Sequence, residues 1–216
     1  MESLGALQMT VTILSLSFLP FVFVAVTCFT KIVIVLFIVR NALGIQQAPP
    51  NLVIYGITFL LTVFVWFPVL QQALENVTAA SPNLEQVEGW GTLAAEVQEP
   101  IKDYMRQHIR EKEHLFFIDT ADRMWDVSKT DGALQDHILV LTAAHVASEL
   151  ASAFEIGFLL YLPFVTIDLI VSNILLSMGS MMISPIMISL PIKLFLFIAV
   201  DGWSRLLHSL VLGYVS

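Results

Sequence analysis

Apolar residues along this chain come in runs long enough to cross a lipid bilayer as helices. Residues 11–39 contain one ionisable side chain, Lys31, and a helix over this run would reach roughly 44 Å at about 1.5 Å per residue. We expect Pro20 to kink this helix, because proline removes a backbone donor and crowds the preceding turn. Residues 52–70 carry no charge, and we expect this second run to end as a helix at Pro68. The first third of the chain therefore predicts two membrane-length helices.

The connection between these two runs carries the signals of a turn. Gly44 is suited to end the first helix, and Asn51 is suited to begin the second. Between them, Pro49 and Pro50 resist helix formation. The two runs are therefore predicted to form a helical hairpin. Arg40 is the sole base in the connection, and the positive-inside rule then places the later polar segment across the membrane.

Charge is concentrated after the second run. Residues 71–137 hold 13 acidic and 6 basic side chains, whereas the other 149 residues hold 5 and 4. Within this segment, Ile101, Tyr104 and Met105 recur at the spacing of one helical face, and the stretch 119–125 predicts a second short helix. The segment is therefore predicted to be an acidic helical insertion outside the membrane. The net charge is −8, of which this segment supplies −7, and this excess argues against nucleic acid or an acidic membrane surface as a partner.

Small residues recur four positions apart after residue 138, a spacing that lets helices approach closely where no water drives their association. They are Ala143, Ala147 and Ala151, then Ala144, Ser148 and Ser152, and finally Ala153 and Gly157. Two more apolar runs, both interrupted by prolines, follow over 156–176 and 181–200. This part of the chain is therefore predicted to pack against other helices.

Together these patterns predict an all-α fold of hydrophobic helical hairpins with kinked helices and a small helical insertion outside the membrane. The chain is predicted to divide into an N-terminal hairpin over 1–70, the acidic insertion over 71–137, and C-terminal hydrophobic helices over 138–216. With 57% apolar and 13% charged residues, against about a quarter charged in a soluble domain, an ordinary soluble protein is excluded. The single cysteine, Cys28, allows no intramolecular disulfide.

Sequence motifs for catalysis or cofactor binding are missing from the chain. It contains no phosphate-binding loop, no nucleophile elbow and no zinc-protease motif, so we expect neither an enzyme nor a cofactor. His145 and Glu149, four apart on a helix, supply two ligands at most, which is too few for a metal site.

Six ionisable side chains lie within or beside the apolar runs, where each costs at least ~2.5 kcal/mol unless it finds a partner, a watery cavity or a place outside lipid. They are Lys31, Glu149, Glu155, Asp168, Lys193 and Asp201. One interpretation is an ion-coupled transporter in which Asp168 and Lys193 serve an ion. A second, which we favour, is that these groups pair between helices or subunits and hold an assembly together. A third is that these segments do not sit in lipid once the protein is assembled.

The connection between the last two long runs is rich in methionine. Met178, Met181 and Met182 accompany Gly179 and several serines. Such unbranched, polarisable side chains adapt to objects of varied shape, although methionine more often fills a core. Both interpretations stay open on the residues alone.

Two blocks of the chain resemble the FliP/SctR family of type III secretion export-gate proteins. The first block is carried by residues 29–36 and by the hairpin residues Arg40, Asn41, Gly44, Gln46, Gln47, Pro49, Pro50 and Asn51. The second block is carried by the stretches 148–150, 154–160, 162–164, 167–169, 178–179, 188–194 and 200–203. The two blocks in this order are specific to the family, whereas the insertion and both ends of the chain match weakly.

This resemblance implies a core pore-forming subunit of the export gate in the bacterial inner membrane. Family members form a pentameric ring that is completed by FliQ/SctS and FliR/SctT subunits and works with FlhA/SctV. Their helices wind into a cone largely on the periplasmic side, and unfolded secreted proteins pass through it. A passive conduit agrees with the missing nucleotide site. Four helical segments are also too few to enclose a channel for a polypeptide, so copies would share one.

The resemblance also implies roles for individual residues. The family's gasket, a methionine loop that narrows the pore, corresponds to Met178, Met181 and Met182. Ser180 stands where the family often has another methionine. Glu149 matches a glutamate on which assembly depends, and Phe117 matches an aromatic side chain of the subunit interface.

The start of the sequence favours one branch of this family. No base precedes Lys31, so a cleavable secretory signal is not expected. This favours the injectisome branch (SctR) over the flagellar branch (FliP). Two other classes stay open, which are the ion-coupled transporter and a membrane anchor whose acidic segment 71–137 binds a partner.

Overall fold

The chain is helical throughout most of the part described by this computed structural model, which covers residues 16–45, 47–81, 87–125, 134–179 and 183–215. The α-helices there are α1 (Leu16–Val26), α2 (Phe29–Ala42), α3 (Asn51–Ala80), α4 (Val87–His108), α5 (Glu111–Met124), α6 (Ile138–Ser177), α7 (Pro185–Ala199) and α8 (Gly202–Leu212). A short 3-10 helix, Leu134–Asp136, precedes α6. No β-strand occurs among the described residues, and the predicted all-α class is confirmed.

Two of these helices, α3 and α6, are each long and apolar enough to cross a membrane. Two bent pairs pass the same test of length and composition. One is α1 with α2, bent by 69°, and the other is α7 with α8, bent by 60°. The described residues therefore provide two spans, or up to four if each bent pair counts as one.

The first bend does not lie at Pro20, where the sequence predicted it. The chain passes through Pro20 within α1, and the helix breaks at Thr27 and Cys28. Thr27 donates its hydroxyl to the carbonyl of Phe23 at 2.7 Å and accepts from the N–H of Phe29 at 3.3 Å. Side-chain bonds of this kind compete with helical backbone bonds, so the threonine ends α1. Pro20 lies early in the described helix, where its missing N–H removes a single bond.

The helix α3 also runs past its predicted end. It continues through Pro68 to Ala80. Residues after Pro68 are mostly good helix formers, and Gln71 donates to Glu75 one turn later at 3.1 Å. The helix α6 likewise passes through Pro163 without a break. The bond lost at each proline is therefore offset by the helical residues on either side.

The helix α3 turns large apolar side chains outward and a narrow, partly polar face inward. Its buried residues are Ile54, Thr58, Thr62 and Trp66. Its large exposed side chains are Leu52, Val53, Tyr55, Phe59, Leu60, Val63, Phe64, Phe67, Leu70 and Leu74. An exposed apolar surface of this extent is typical of a helix that meets lipid or another protein.

The chain forms two compact units that interleave along the sequence. The first comprises Met1–Thr30 and Pro68–Ser148, and the second comprises Lys31–Phe67 and Glu149–Ser216. Their boundaries fall within the helices α2, α3 and α6. The three-part division into hairpin, insertion and C-terminal helices concerns placement relative to a membrane and stays a prediction.

In the first unit, α4 is amphipathic as predicted, and its residues Tyr104 and Met105 are buried. Arg106 of α4 binds Asp136 at 3.0 Å and Asp103 at 2.5 Å. Partial burial lowers the pKa of Arg106, but the hydrogen bonds and charges of these two carboxylates outweigh it and raise the pKa above its ordinary value. Arg106 therefore stays cationic and ties α4 to the short helix that precedes α6.

In the second unit, a glycine lets α6 approach α2 closely. A Cβ atom added at Gly157 would lie 2.4 Å from Cδ1 of Ile38 and 3.3 Å from its Cβ. Ala153, one turn before, is fully buried. The close helix approach expected from small residues four apart is thus present at this crossing.

We predict that Gly157→Val destabilises the chain by about 1–3 kcal/mol, because the new side chain overpacks against Ile38. Gly56→Val is the matched control, since Gly56 lies within α3 and, apart from its chain neighbours and the backbone of its own helix, nothing comes within 4 Å of its Cβ position. The control should stay within about 0.5 kcal/mol of the parent chain. Thermal unfolding in one detergent, followed by circular dichroism, measures the difference. Equal melting temperatures for the two variants would contradict the close α2–α6 contact.

Candidate functional site

A buried ionic cluster lies in the second unit, where α2, α6 and the segment after α8 meet. Nζ of Lys31 lies 3.1 Å from Oε1 of Glu149, and the two residues are 8% and 2% exposed. Tyr214 donates its hydroxyl to Oε2 of the same carboxylate. Lys31 also lies over the Tyr214 ring, 3.7 Å from its centroid. A cation from α2 is thus paired with an anion from α6, and the Tyr214 side chain contacts both.

The geometry of this cluster meets what an apolar environment requires. A buried charge costs several kcal/mol even after relaxation, and attraction to its partner offsets this only if the remaining lone pairs and protons are also satisfied. Glu149 has both carboxylate oxygens engaged, one by an ammonium group and one by a hydroxyl. Lys31 adds a cation–π contact, which is worth about 2 kcal/mol when desolvated. The cluster therefore fixes α2 against α6.

A second lysine–carboxylate pair joins α6 to α7. Nζ of Lys193 lies 2.6 Å from Oδ2 of Asp168 and donates to the carbonyl of Ala42 at 3.1 Å. Ala42 is the last residue of α2, so one ammonium group connects three helices. Lys193 is buried, whereas the Asp168 side chain is 42% exposed. The carboxylate of this pair, unlike that of Glu149, keeps an accessible face.

The other two charged residues predicted to support assembly are exposed, and the predicted interface residue Phe117 is half-buried. Glu155 lies on the surface of α6 and Asp201 lies just before α8. Asp201 adopts the left-handed conformation with φ 53°, and its side chain does not cap α8. Phe117 of α5 is half-buried and packs edge-to-face on Phe116, with ring centroids 5.2 Å apart. The part that Glu155, Asp201 and Phe117 take in assembly stays a proposal.

The hairpin residues close the turn between α2 and α3. Arg40 donates to Oδ1 of Asn51 at 2.5 Å and to the carbonyl of Pro49 at 3.3 Å. Gly44 has φ +78°, the left-handed conformation that ends many helices, and its N–H donates to the carbonyl of Asn41 at 3.0 Å. The predicted hairpin turn is thus held by both its polar side chains and its glycine.

Several predicted site residues lie outside the described residues or on exposed positions. Gln46, Met181 and Met182 lie outside the described part of the chain, and Gln47 and Pro50 are exposed. Met178 is 74% exposed at the end of α6, and Gly179 turns the chain with φ +70°. Met178 therefore does not fill a core of this chain.

Tyr214 is the residue of the ionic cluster that the sequence did not predict. Its only signal is a polar aromatic side chain at the end of an amphipathic run. Its carboxylate partner, Glu149, lies 65 residues earlier in the chain. No local pattern connects residues so far apart, whereas the cost of a buried carboxylate does predict that Glu149 has some donor nearby.

The described residues bring no three His, Cys, Asp or Glu side chains together as a metal site requires. Glu149 is occupied by Lys31 and Tyr214. The His145 ring packs edge-on against Tyr104, with centroids 5.7 Å apart. What the arrangement offers chemically is therefore charge pairing between helices.

We predict that removing one partner of the Lys31–Glu149 pair destabilises the chain by about 3–5 kcal/mol, because the other charge is left buried. Glu149→Leu and Lys31→Met test the two partners singly. The double variant buries no charge and should recover most of the loss. Unfolding in detergent measures all three variants.

The control for this series is Arg123→Gln, which breaks an exposed ion pair with Asp119 at 2.8 Å. It should cost no more than about 1 kcal/mol. A double variant as unstable as the single variants would show that the charge pair is not what holds α2 to α6.

Known proteins are similar to this chain over nearly its whole length. The model of the FliP family matches residues 11–210. "Probable translocation protein y4yL" of Sinorhizobium fredii is 42% identical over 93% of this chain and 90% of its own length. "Yop proteins translocation protein R" of Yersinia pestis is 43% identical over 92% of both chains. "Flagellar biosynthetic protein FliP" of Pectobacterium carotovorum is 39% identical over 98% of this chain and 80% of its own length. With a match of this extent, and with the hairpin and paired charges in place, the chain belongs to the FliP family.

Proposed function

We propose that this chain is a pore-forming subunit of the type III protein export gate, a passive conduit for unfolded secreted proteins. Its family makes it a component of a type III secretion apparatus, and its long apolar helices make it a membrane protein. The observation that carries the finer proposal is that large apolar side chains face outward while four charges of its apolar helices pair between helices.

The outward apolar faces support assembly with other chains. On α6 the large exposed side chains include Leu139, Leu150, Phe154, Phe158, Leu159, Leu162, Leu169, Ile170, Ile174 and Leu176. Such a surface is unfavourable in water and needs lipid or protein against it. Because a few helical segments cannot surround a polypeptide channel, we infer that copies of this chain line a shared pore.

The proposed assembly is the ring that the family resemblance implies. Five copies of this chain are joined by FliQ/SctS-like and FliR/SctT-like subunits and work with a FlhA/SctV-like partner. The complex is anchored in the bacterial inner membrane and lies largely on its periplasmic side. Neighbouring subunits would then cover exposed polar groups such as the carboxylate of Asp168. The relative named for Yop translocation is slightly more similar than the flagellar one, which supports the injectisome branch.

The methionine loop is proposed to narrow this pore. Met178 is exposed beside the turn at Gly179, where its thioether is available to contacts outside its own chain. Copies of Met178, Met181 and Met182 around the ring would form a soft apolar constriction. Such a constriction dewets against ions yet yields to side chains of different shape.

Replacing Met178, Met181 and Met182 together with Ala should raise the ion conductance of the open gate severalfold, because smaller side chains leave a wider and wetter constriction. Electrical recording from gates reconstituted in bilayers measures this. Met124→Ala is the control, since Met124 is also exposed but ends α5. Unchanged conductance in the triple variant would remove the gasket role from this loop.

The competing function is an ion-coupled transporter, and the partly exposed Asp168 beside Lys193 is the observation in its favour. The two functions respond differently to neutral substitutions. In an export-gate subunit, Glu149→Gln unpairs Lys31 and should abolish the oligomer on native gels. In a transporter, Asp168→Asn should abolish ion flux and leave the assembly intact. Asp122→Asn, at an exposed position of α5, is the control for both.

Circular dichroism of the Glu149→Gln chain checks that loss of the oligomer is not general unfolding. An intact oligomer in Glu149→Gln together with lost ion flux in Asp168→Asn would overturn the export-gate proposal in favour of the transporter.

A further inference from the structure

An apolar cavity of 460 Å³ lies in the second unit, between α6, α7 and α8. Its walls include Ile156 and Leu160 from α6, and Leu206 and Leu210 from α8. This volume falls within the ~300–1,000 Å³ of small-molecule sites. None of the residues of the two charge pairs lines the cavity. The charge pairing described above therefore does not explain what the cavity is for.

Aromatic rings form part of the cavity wall. Phe164 and Phe197 both line it, and Phe197 packs against Phe164 and Trp203, with ring centroids 6.2 Å and 5.3 Å apart. Gly202 lets the Phe197 ring come so close that a Cβ added at Gly202 would clash with it. Phe197 therefore has close neighbours on more than one side.

One charged side chain stands at the rim of the cavity. Arg205 and Ser209, one turn apart on α8, both line it and are both exposed. All the other lining residues are apolar. Within the described part of the chain, the Arg205 guanidinium makes no ion pair or hydrogen bond. An apolar cavity with one unpaired cation at its rim is complementary to a molecule that has a hydrocarbon chain and an anionic head.

The helix α8 is amphipathic. Gly202, Leu206 and Leu210 are buried against this chain, whereas Arg205 and His208 are exposed. The helix is also bent by 60° from α7. In a membrane-anchored protein, an exposed arginine on such a helix is a group that a lipid phosphate can reach.

We propose that this cavity binds one acyl chain of an anionic phospholipid, whose phosphate is held by Arg205 and Ser209. The guanidinium matches the charge and geometry of a phosphate, and the walls match hydrocarbon. A helix of a partner protein fits less well, because at about 10–12 Å across it would place only about one turn in this volume. The inference rests on the proposed membrane location and is independent of the conduit role.

The test is made on the chain purified in detergent with whatever subunits copurify, by lipid extraction and mass spectrometry. The parent chain should retain anionic phospholipid in stoichiometric amount. Arg205→Gln, at an exposed position, should lower retention at least about tenfold, which corresponds to about 1.4 kcal/mol. Leu160→Trp fills the cavity and should lower retention similarly. Arg123→Gln, which removes an exposed arginine from α5, should retain the parent amount.

Undiminished retention in both Arg205→Gln and Leu160→Trp would overturn the proposal, as would equal retention of zwitterionic lipid. Photo-cross-linking from position 160 to a protein rather than to lipid would assign the cavity to a partner and overturn it as well. Export is measured in parallel on the same variants. If the parent chain supports normal export but holds no anionic lipid, the lipid site alone is refuted and the proposed conduit is untouched.

Discussion

A charge buried on an apolar helix needs an opposite charge from another helix, and two such pairs determine how the helices of the second unit are arranged. Lys31 of α2 meets Glu149 of α6, and Lys193 of α7 meets Asp168 of α6. In a bilayer, large apolar side chains contact lipid tails almost as favourably as they contact other helices. They therefore give little specificity for one neighbouring helix over another. Two charge pairs on α6 instead specify which helices lie beside it, because any other arrangement leaves a charge buried alone.

The distribution of side chains on α3 adds a second constraint. Thr58 and Thr62 face inward while aromatic and aliphatic side chains face outward, which reverses the pattern of a water-soluble helix. Small inward residues allow close helix contacts, as Gly157 does against Ile38. The outward residues suit lipid and neighbouring protein equally, because both are apolar. The same surface therefore serves the chain before and after it joins other subunits.

The sequence predicts those features whose signals are local. The hairpin turn follows from Gly44 and Asn51, and the amphipathic α4 follows from its periodicity. The bend was predicted at Pro20 but lies at Thr27 and Cys28. The hydrogen bonds of the Thr27 side chain replace helical backbone bonds there and end α1, whereas Pro20 is accommodated within the helix. The cost of burying Glu149 predicts that it has a partner, but which one depends on Lys31, 118 residues earlier, and on Tyr214. Such pairings follow from tertiary packing, which no local pattern encodes.

The distance along the chain between the two charges also bears on biosynthesis. The ribosome makes Lys31 118 residues before Glu149, so at about 5–20 residues per second the ammonium group waits roughly 6–24 s for its carboxylate. During that interval it has to stay hydrated or extend toward lipid phosphates at the bilayer surface. The pair between α2 and α6 therefore cannot form until α6 has been made, and until then α2 carries a charge that its own helix leaves unpaired.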